Sequence, residues 1–141
     1  MTFVTWNPAW ETGIQQIDEQ HRQLLAQFEA LLAGIHEKQP EVRIPGLLVF
    51  LAEYVDTHFS TEEEHMKATL YPGFLGHKAI HDDMRAQVAQ LVAQYDNDPA
   101  SLTEEVLDFL TGWLIDHINE HDRRMAHHLV RFEAGERGIS L

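Results

Sequence analysis

The sequence contains no cysteine. This absence excludes disulfide bonds, thiolate-ligated metals and iron–sulfur clusters from the protein. Basic residues are also few, with 10 Lys and Arg against 23 Asp and Glu, and the formal net charge is −13. A surface of this sign argues against nucleic-acid binding, which requires a basic footprint. Nucleic acid is therefore not expected among the partners of the protein.

Long hydrophobic runs are missing as well. No window reaches the roughly 18 to 20 apolar residues of a membrane span, and the opening segment MTFVTWNPAW lacks the basic and apolar regions of a signal peptide. We therefore expect a cytoplasmic protein without a membrane span. With 141 residues and 44% hydrophobic content, the chain suits one domain with a single core.

Four stretches carry apolar residues at helical spacing, and none alternates with the period of two that marks a strand. The breaks between the stretches are short, so neighbouring helices should run antiparallel. The sequence predicts an all-α fold, an up-down-up-down antiparallel four-helix bundle with an irregular N-terminal arm. The expected helix signals are Asp18 as the first N-cap, Pro40 after the first helix, Pro45-Gly46 before the second, and a capping box from Ser101 to Glu104 before the fourth.

These signals also predict how the chain is divided. We expect a single domain over residues 1–141, with an N-terminal arm over 1–16 that lies on the bundle through Trp6 and Trp10. The bundle is expected over 17–132, with the last helix ending near Phe132. A frayed tail is expected over 133–141, where GERG interrupts the helical pattern.

Histidine is unusually frequent, with ten residues in the chain. Five of them continue an apolar stripe, and each predicted helix carries at least one: His21, His58, His77, His81 and His117. A buried imidazole without a hydrogen-bond partner is costly, whereas a shared metal ion would satisfy all five, since histidine is the commonest metal ligand. The pattern therefore indicates a metal site inside the bundle.

The spacing of these residues supports a shared site. His58 and Glu62 are four residues apart, as are His77 and His81, so each pair lies on one helix face. In an antiparallel bundle all five histidines fall near the same end. Glu63 and Glu64 rotate away from Glu62 by about 100° and 200°, and we expect both in solvent. His65 lies one turn beyond the cluster, and three further histidines are expected on the surface: His36, His127 and His128.

Four segments together resemble the hemerythrin family in its bacterial single-domain form. They are GIQQIDEQHRQLL with His21, HFSTEEEHM with His58 and Glu62, YPGFLGHKAIH with His77 and His81, and WLIDHINEHD with His117 and Asp122. The segments follow the family order from about Trp10 to Asp122. Helical periodicity alone selects His121, four residues after His117, whereas the family pattern selects Asp122. A local π-turn would bring Asp122 round to the site.

The resemblance implies a non-haem centre of two iron ions (Fe2+/Fe3+) joined by an oxo or hydroxo bridge. His77, His81 and His117 would ligate one iron and His21 and His58 the other, while Glu62 and Asp122 would bridge both. The iron with two histidines would keep one position for O2. From spacing alone, zinc, manganese and copper remain alternatives to iron.

The resemblance further implies reversible O2 binding for storage or delivery, or for sensing, rather than an enzymatic reaction. The expected partners are O2 and an O2-consuming enzyme as recipient, and the protein is expected to be a monomer. An apolar O2 pocket is expected from residues next to the ligands, namely Leu24, Phe59, Trp113, Leu114 and Ile118. The alternatives are a di-iron enzyme, such as a peroxidase, an oxidase or a nitric-oxide-handling protein, and a metal-buffering or structural bundle.

Overall fold

Apolar residues at helical spacing form four rods in the computed structural model, which describes residues 6–136 of the chain. Three rods are single helices, and the fourth consists of two helices joined by a π-helical turn, Ile118–Asp122. No described residue belongs to a strand. The helices are α1 (Gln15–Gly34), α2 (Pro40–Ala68), α3 (Phe74–Asn97), α4 (Glu104–His117) and α5 (Arg123–Glu136). The all-α four-helix bundle predicted from the sequence is confirmed.

Short connections set the order of the rods around the bundle. Five residues separate α1 from α2, and five separate α2 from α3. Links this short return each helix antiparallel to the one before it. Helix α1 packs against α2 and α4, and α2 packs against α3. None of the described helices combines the length and the apolarity needed to cross a membrane.

The core is divided by a layer of polar side chains. A large apolar cluster, which includes Phe28, Leu51 and Leu107, fills most of the bundle. A smaller cluster of Ile17, Met66, Met125 and Leu129 closes one end. Along the helices, the buried histidines lie between the residues of the two clusters. The bundle thus encloses a polar layer with apolar packing on both sides.

The N-terminal arm packs on the bundle through two tryptophans, as the sequence predicts. Trp6 and Trp10 are half-buried against the large cluster and meet edge to face, with ring centroids 5.6 Å apart. The guanidinium of Arg22 lies 4.7 Å from the Trp6 ring centroid. A short 3₁₀ turn, Pro8–Trp10, gives the arm local order.

Helix α1 begins earlier than its polar signal suggests. Asp18 was expected at the N-cap, but the helix starts at Gln15 after an Ile14 cap. Asp18 is instead buried inside the first turn. Its carboxylate accepts hydrogen bonds from the backbone N–H and hydroxyl of Thr12, at 2.8 and 2.7 Å. The residue therefore ties the arm to the helix rather than capping the helix itself.

The two prolines near residue 40 play different parts from those predicted. Pro40 was expected to end the region of α1, and it is also the first residue of α2. A proline is tolerated there because the N–H of the first helical residue has no acceptor within the helix. The helix then continues through Pro45, which was expected to precede it. Pro45 and Glu41 are both exposed, so the carbonyl that loses its intrahelical bond at Pro45 can face water.

The capping signal of the fourth rod is shifted by two residues. Ser101 was expected to cap this helix, but it ends a short 3₁₀ turn, Pro99–Ser101. Thr103 is the N-cap, and its hydroxyl accepts a hydrogen bond from the backbone N–H of Val106 at 3.2 Å. Acidic residues then occupy the first turn, where the helix dipole favours them.

The end of the last rod lies beyond the predicted limit. Helix α5 does not stop near Phe132 but runs to Glu136, passing through Gly135. The part of the predicted frayed tail from 133 to 136 is therefore helical. The outermost segments of the predicted arm and tail, residues 1–5 and 137–141, lie outside the described residues.

Candidate dinuclear metal centre

Seven ionisable side chains from all the long helices meet in the polar layer of the bundle. Each is at most 4% exposed. Ionisable side chains are rarely buried so completely unless they are paired with other groups. They are His21 on α1, His58 and Glu62 on α2, His77 and His81 on α3, His117 on α4, and Asp122 at the end of the π turn. The five histidines and Glu62 come together where the sequence predicts a shared site.

Glu62 divides its two carboxylate oxygens between two groups of histidines. Its Oε2 atom lies 3.1 Å from Nε2 of His21 and 3.1 Å from Nε2 of His58. Its Oε1 atom lies 3.0 Å from Nε2 of His81 and 3.7 Å from Nε2 of His77. The carboxylate therefore stands between a two-histidine group and a three-histidine group.

Asp122 repeats this division on the other side of the site. Its Oδ2 atom lies 2.9 Å from Nε2 of His21. Its Oδ1 atom lies 2.9 Å from Nε2 of His77 and 3.1 Å from Nε2 of His117. The donor atoms therefore form two sets, and the atoms within each set all lie within 4.8 Å of one another. One set comes from Glu62, His77, His81, His117 and Asp122, and the other from His21, His58, Glu62 and Asp122.

The π-helical turn explains how Asp122 reaches the site. On a regular helix, five residues would rotate it by about 140° from His117, away from the inner face. The wider π turn over Ile118–Asp122 removes this offset, and Asp122 is fully buried. His121, which regular periodicity selects, is half-buried and lies beside the His117 ring, with centroids 5.3 Å apart. The π-turn expected from the family pattern is present.

Several site atoms lack a hydrogen bond even though they are buried and close to opposite charge. Nε2 of His58, His81 and His117, Oε1 of Glu62 and Oδ2 of Asp122 all belong to this group. The nitrogen–oxygen distances are short, but the angles do not suit hydrogen bonds. Buried polar atoms are rarely left in this state. Convergent nitrogen and oxygen atoms that lack hydrogen bonds fit cations at the centre of each donor set.

Electrostatics also favours cations at this position. Burial alone would lower the pKa of His21, but the carboxylates of Asp122 and Glu62 outweigh it and raise that pKa to about 9. Burial is likewise outweighed at His77, whose pKa rises to about 9. Burial opposes ionisation of Glu62, yet the surrounding imidazoles hold its pKa well below the usual range. Burial and the neighbouring Glu62 oppose ionisation of Asp122, but its contacts with His117 and His21 hold its pKa below the usual range. The two carboxylates stay ionised and require positive charge.

The outer ring nitrogens of two histidines are held by different partners. Nδ1 of His58 lies 2.8 Å from the amide oxygen of Gln20. Nδ1 of His81 lies 2.8 Å from a carboxylate oxygen of Glu63. The expectation that Glu63 is solvated is therefore wrong, because α3 covers its side of α2 and leaves it 8% exposed. Glu64 is exposed, as predicted.

Aromatic rings hold two of the imidazoles in fixed planes. Phe59 stacks on His81 with centroids 4.0 Å apart and an interplanar angle of 9°. Trp113 stacks on His117 at 4.8 Å and 8°. Both contacts limit ring rotation and keep the Nε2 atoms directed at the carboxylates.

A small apolar cavity lies one helical turn from both histidine groups. Its volume is about 10 Å³, and it is lined by Leu24, Phe28, Val55, Phe59, Met84, Leu110, Trp113 and Leu114. A water molecule needs about this volume together with two to four polar partners, which these side chains do not offer. Four of the five residues expected in the pocket line this cavity. Ile118 does not, although it is fully buried in the same apolar cluster.

The remaining histidines lie outside the two donor sets. His36 and His127 are exposed, as predicted. His65 is half-buried, and its Nε2 atom lies 3.4 Å from the Gln16 amide oxygen. His128 was expected as a plain surface residue, but it is half-buried and donates from Nε2 to the backbone carbonyl of Thr69 at 2.7 Å. This bond ties α5 to the end of α2.

A helical bundle whose buried polar layer offers two histidine groups and two shared carboxylates belongs to the dinuclear metal-binding bundles. Comparison with known families narrows this class. Residues 12–129 match the family model described as the hemerythrin HHE cation binding domain. Since this match spans most of the sequence, the chain belongs to the hemerythrin family.

Individual relatives agree with this assignment. The chain is 33% identical over 125 residues to a bacteriohemerythrin from Clostridium acetobutylicum, an alignment that covers 84% of this chain and 95% of the relative. It is 26% identical to myohemerythrin-1 from Phascolopsis gouldii, with 83% and 87% covered. A crystal structure of wild-type hemerythrin superposes with a TM-score of 0.81 at 28% identity, covering 91% of this chain and 98% of that one.

Proposed function

We propose that the seven convergent side chains hold two iron ions. His77, His81 and His117 would hold one ion, His21 and His58 would hold the other, and Glu62 and Asp122 would be shared by both. One observation carries this proposal: each carboxylate directs one oxygen to each histidine group, at distances of 2.9 to 3.1 Å for its closest contacts. A metal pair needs bridging ligands with this division.

The donor set leaves the two ions unequal. One ion would be held by three histidines and the other by two, His21 and His58, so the ion with fewer protein ligands would be the one open to O2. When bound, the iron pair would supply the two electrons that reversible O2 binding requires.

The protein binds O2 at this di-iron centre, as its family membership supports. The role of the chain around the iron is to exclude water. The apolar cavity lies one helical turn from both histidine groups. Leu24 follows His21 and Val55 precedes His58 by one turn, just as Met84 follows His81 and Leu114 precedes His117. Its walls offer no acid that could protonate bound O2 and no partner that could retain water. Both features favour release of O2 in the form in which it entered.

The donor set favours a carrier over an enzyme. Di-iron carboxylate bundles of the ferritin type use four glutamates and two histidines. Five neutral imidazoles and only two carboxylates leave the present site less anionic, so highly oxidised iron is less well stabilised. The absence of a proton donor around the cavity, within the described part of the chain, removes a further requirement for O–O bond cleavage.

The proposal includes O2 storage or delivery as the biological role. In delivery, the recipient would be an O2-consuming enzyme, and the carrier would act as a cytoplasmic monomer. Sedimentation of the purified, iron-loaded protein tests the oligomeric state, and co-purification from a cytoplasmic extract under low O2 tests the recipient.

Metal analysis combined with optical spectroscopy tests the function directly. We expect two iron ions per chain and an absorption band that appears when the reduced protein meets O2 and disappears under argon. Repeated cycles should return the same amplitude. Irreversible oxidation with turnover of an added substrate would indicate an enzyme instead. A colourless protein with bound zinc would indicate a metal-buffering bundle.

A further inference from the structure

Glu63 is a buried carboxylate next to the site that belongs to neither donor set. It follows Glu62 in the chain, but the rotation of about 100° per residue turns it from the bundle centre toward α3. Its Oε2 atom lies 2.8 Å from Nδ1 of His81, the ring nitrogen that faces away from the iron positions. Glu63 therefore holds the outer side of an imidazole whose inner side faces Glu62.

Arg85 on α3 fixes the position of this carboxylate. Its guanidinium donates to both oxygens of Glu63, at 2.7 Å and 3.3 Å. It is held in turn by Asp56, at 2.9 Å, and lies 5.4 Å from the centroid of the Phe59 ring that stacks on His81. A forked ion pair of this kind directs the carboxylate and keeps it ionised.

The two-histidine group has no equivalent of this arrangement. The outer nitrogen of His58 faces Gln20, a neutral amide, at 2.8 Å. The outer nitrogens of His21 and His117 have no hydrogen-bond partner among the described residues. Within the described part of the chain, the contact between a carboxylate and an outer imidazole nitrogen is found at His81.

A carboxylate at the outer nitrogen changes the imidazole in two ways. It holds the proton on Nδ1, which fixes the tautomer with its free lone pair on Nε2, and it makes Nε2 a stronger donor to a metal. An amide oxygen also fixes the tautomer, but it increases the donor strength of Nε2 only weakly. A hydrogen bond to an ionised acceptor is about twice as strong as one to a neutral acceptor. The two iron positions therefore differ in donor strength as well as in histidine count.

We propose that Glu63 is a positioning residue that acts through His81 to strengthen the three-histidine iron position. Arg85 moderates this effect by balancing the charge of Glu63. The inference rests on the proposed di-iron function and adds to it an electronic difference between the two ions, with the more electron-rich ion on the side away from the O2 position.

The substitution Glu63→Gln tests the charge while keeping the shape. Glutamine can still accept a hydrogen bond from Nδ1 of His81, so the ring should keep its place. We expect the affinity of the three-histidine position for Fe²⁺ to fall by about 10- to 100-fold, the usual effect of losing such a partner. The midpoint potential of the iron pair should rise, because the ferric state loses the negative charge that makes His81 a stronger ligand.

Glu64→Gln is the matched control. It removes the same charge from the next residue, which is exposed and touches neither donor set. A through-space effect of net charge would shift the potential similarly in both variants, whereas an effect through His81 appears only in Glu63→Gln. Equal affinities and potentials in the two variants would overturn the proposal.

Arg85→Gln provides a second test with the opposite sign. Without the guanidinium, the full charge of Glu63 acts on His81, so the midpoint potential should fall below that of the wild type. A purely structural role for the Glu63–Arg85 pair would move both variants in the same direction, and that result would also overturn the proposal. Spectroelectrochemical titration and anaerobic Fe²⁺ titration supply the measurements.

These experiments separate the inference from the function on which it rests. If the wild-type protein binds fewer than two iron ions, the proposed function itself is wrong. If the wild type binds two iron ions and releases O2 reversibly, while Glu63→Gln behaves as Glu64→Gln does, only the role of Glu63 is wrong.

Discussion

Asp122 lies five residues after His117, yet its Oδ1 atom is 3.1 Å from Nε2 of His117. Regular helical geometry would separate the two side chains by about 140°. The π turn over Ile118–Asp122 reconciles the spacing with the contact. Unusual helical turns of this kind are often found at functional sites, and this one places the second bridging carboxylate.

Substitution of Asp122 tests whether this turn serves the metal centre. Asp122→Ala should reduce the iron content to below one ion per chain, because both donor sets lose an oxygen ligand. His121→Ala should keep two ions, since His121 belongs to neither set. Metal analysis of the two purified variants measures the difference. Equal iron content would refute the bridging role of Asp122.

Removal of the metal should destabilise the protein. A ligand present at a thousand times its dissociation constant adds about 4 kcal/mol to the free energy of unfolding, which corresponds to a Tm change of about 10 °C for a chain of this size. Chelation should therefore lower the Tm by about that amount. Calorimetry with and without chelator measures it.

The double substitution Glu62→Gln, Asp122→Asn should abolish this dependence. Both donor sets lose their two carboxylates, so the variant should bind little metal and its Tm should not respond to chelator. Calorimetry with and without chelator measures the response. A Tm that still falls on chelation would contradict the bridging roles of Glu62 and Asp122.

The apolar cavity should control the lifetime of the O2-bound protein. Val55→Thr keeps the volume of the side chain but places a hydroxyl in the cavity wall, where it offers water a partner. We expect autoxidation to become several-fold faster. Val88→Thr is the control, since Val88 is 1% exposed and does not line this cavity. Both variants should lose about 1–3 kcal/mol of stability, so a rate change confined to Val55→Thr identifies the cavity.

The start of the fourth rod offers a test of helix capping. Thr103→Ala should lower the free energy of unfolding by about 1 kcal/mol, because the N–H of Val106 loses its hydroxyl acceptor. Ser101→Ala should have a smaller effect, since the hydroxyl of Ser101 has no hydrogen-bond partner in the described structure. Urea denaturation of the two variants compares them. A larger loss for Ser101→Ala would support the capping box predicted from the sequence.

The sequence predicts the inner face of each helix well but the ends of the helices less well. His58 and Glu62 share a face because they are four residues apart, and the structure keeps them on it. Helix ends depend on weaker local choices. Asp18 and Ser101 are both good N-cap residues, yet Asp18 binds Thr12 and the cap of α4 is Thr103.

The sequence analysis did not predict which residues contact the outer ring nitrogens of the histidines. Glu63 and Glu64 have the same charge and neighbouring positions, but Glu63 points to the adjacent helix and forms an ion pair with Arg85. The position of Gln20 beside His58 is likewise set by the packing of α1 on α2. A sign in the sequence was Arg85 itself, one turn after His81, which could have supplied a partner for a buried carboxylate.

The sequence by itself determined that four amphipathic helices carry imidazoles on their inner faces at one end of a bundle, because side-chain periodicity defines the face of a helix. Only the tertiary structure decided which oxygen of Glu62 faces which histidine group, and which outer nitrogen meets Glu63 or Gln20. Those contacts depend on the distance and rotation between packed helices, and no periodicity along one chain segment contains that information.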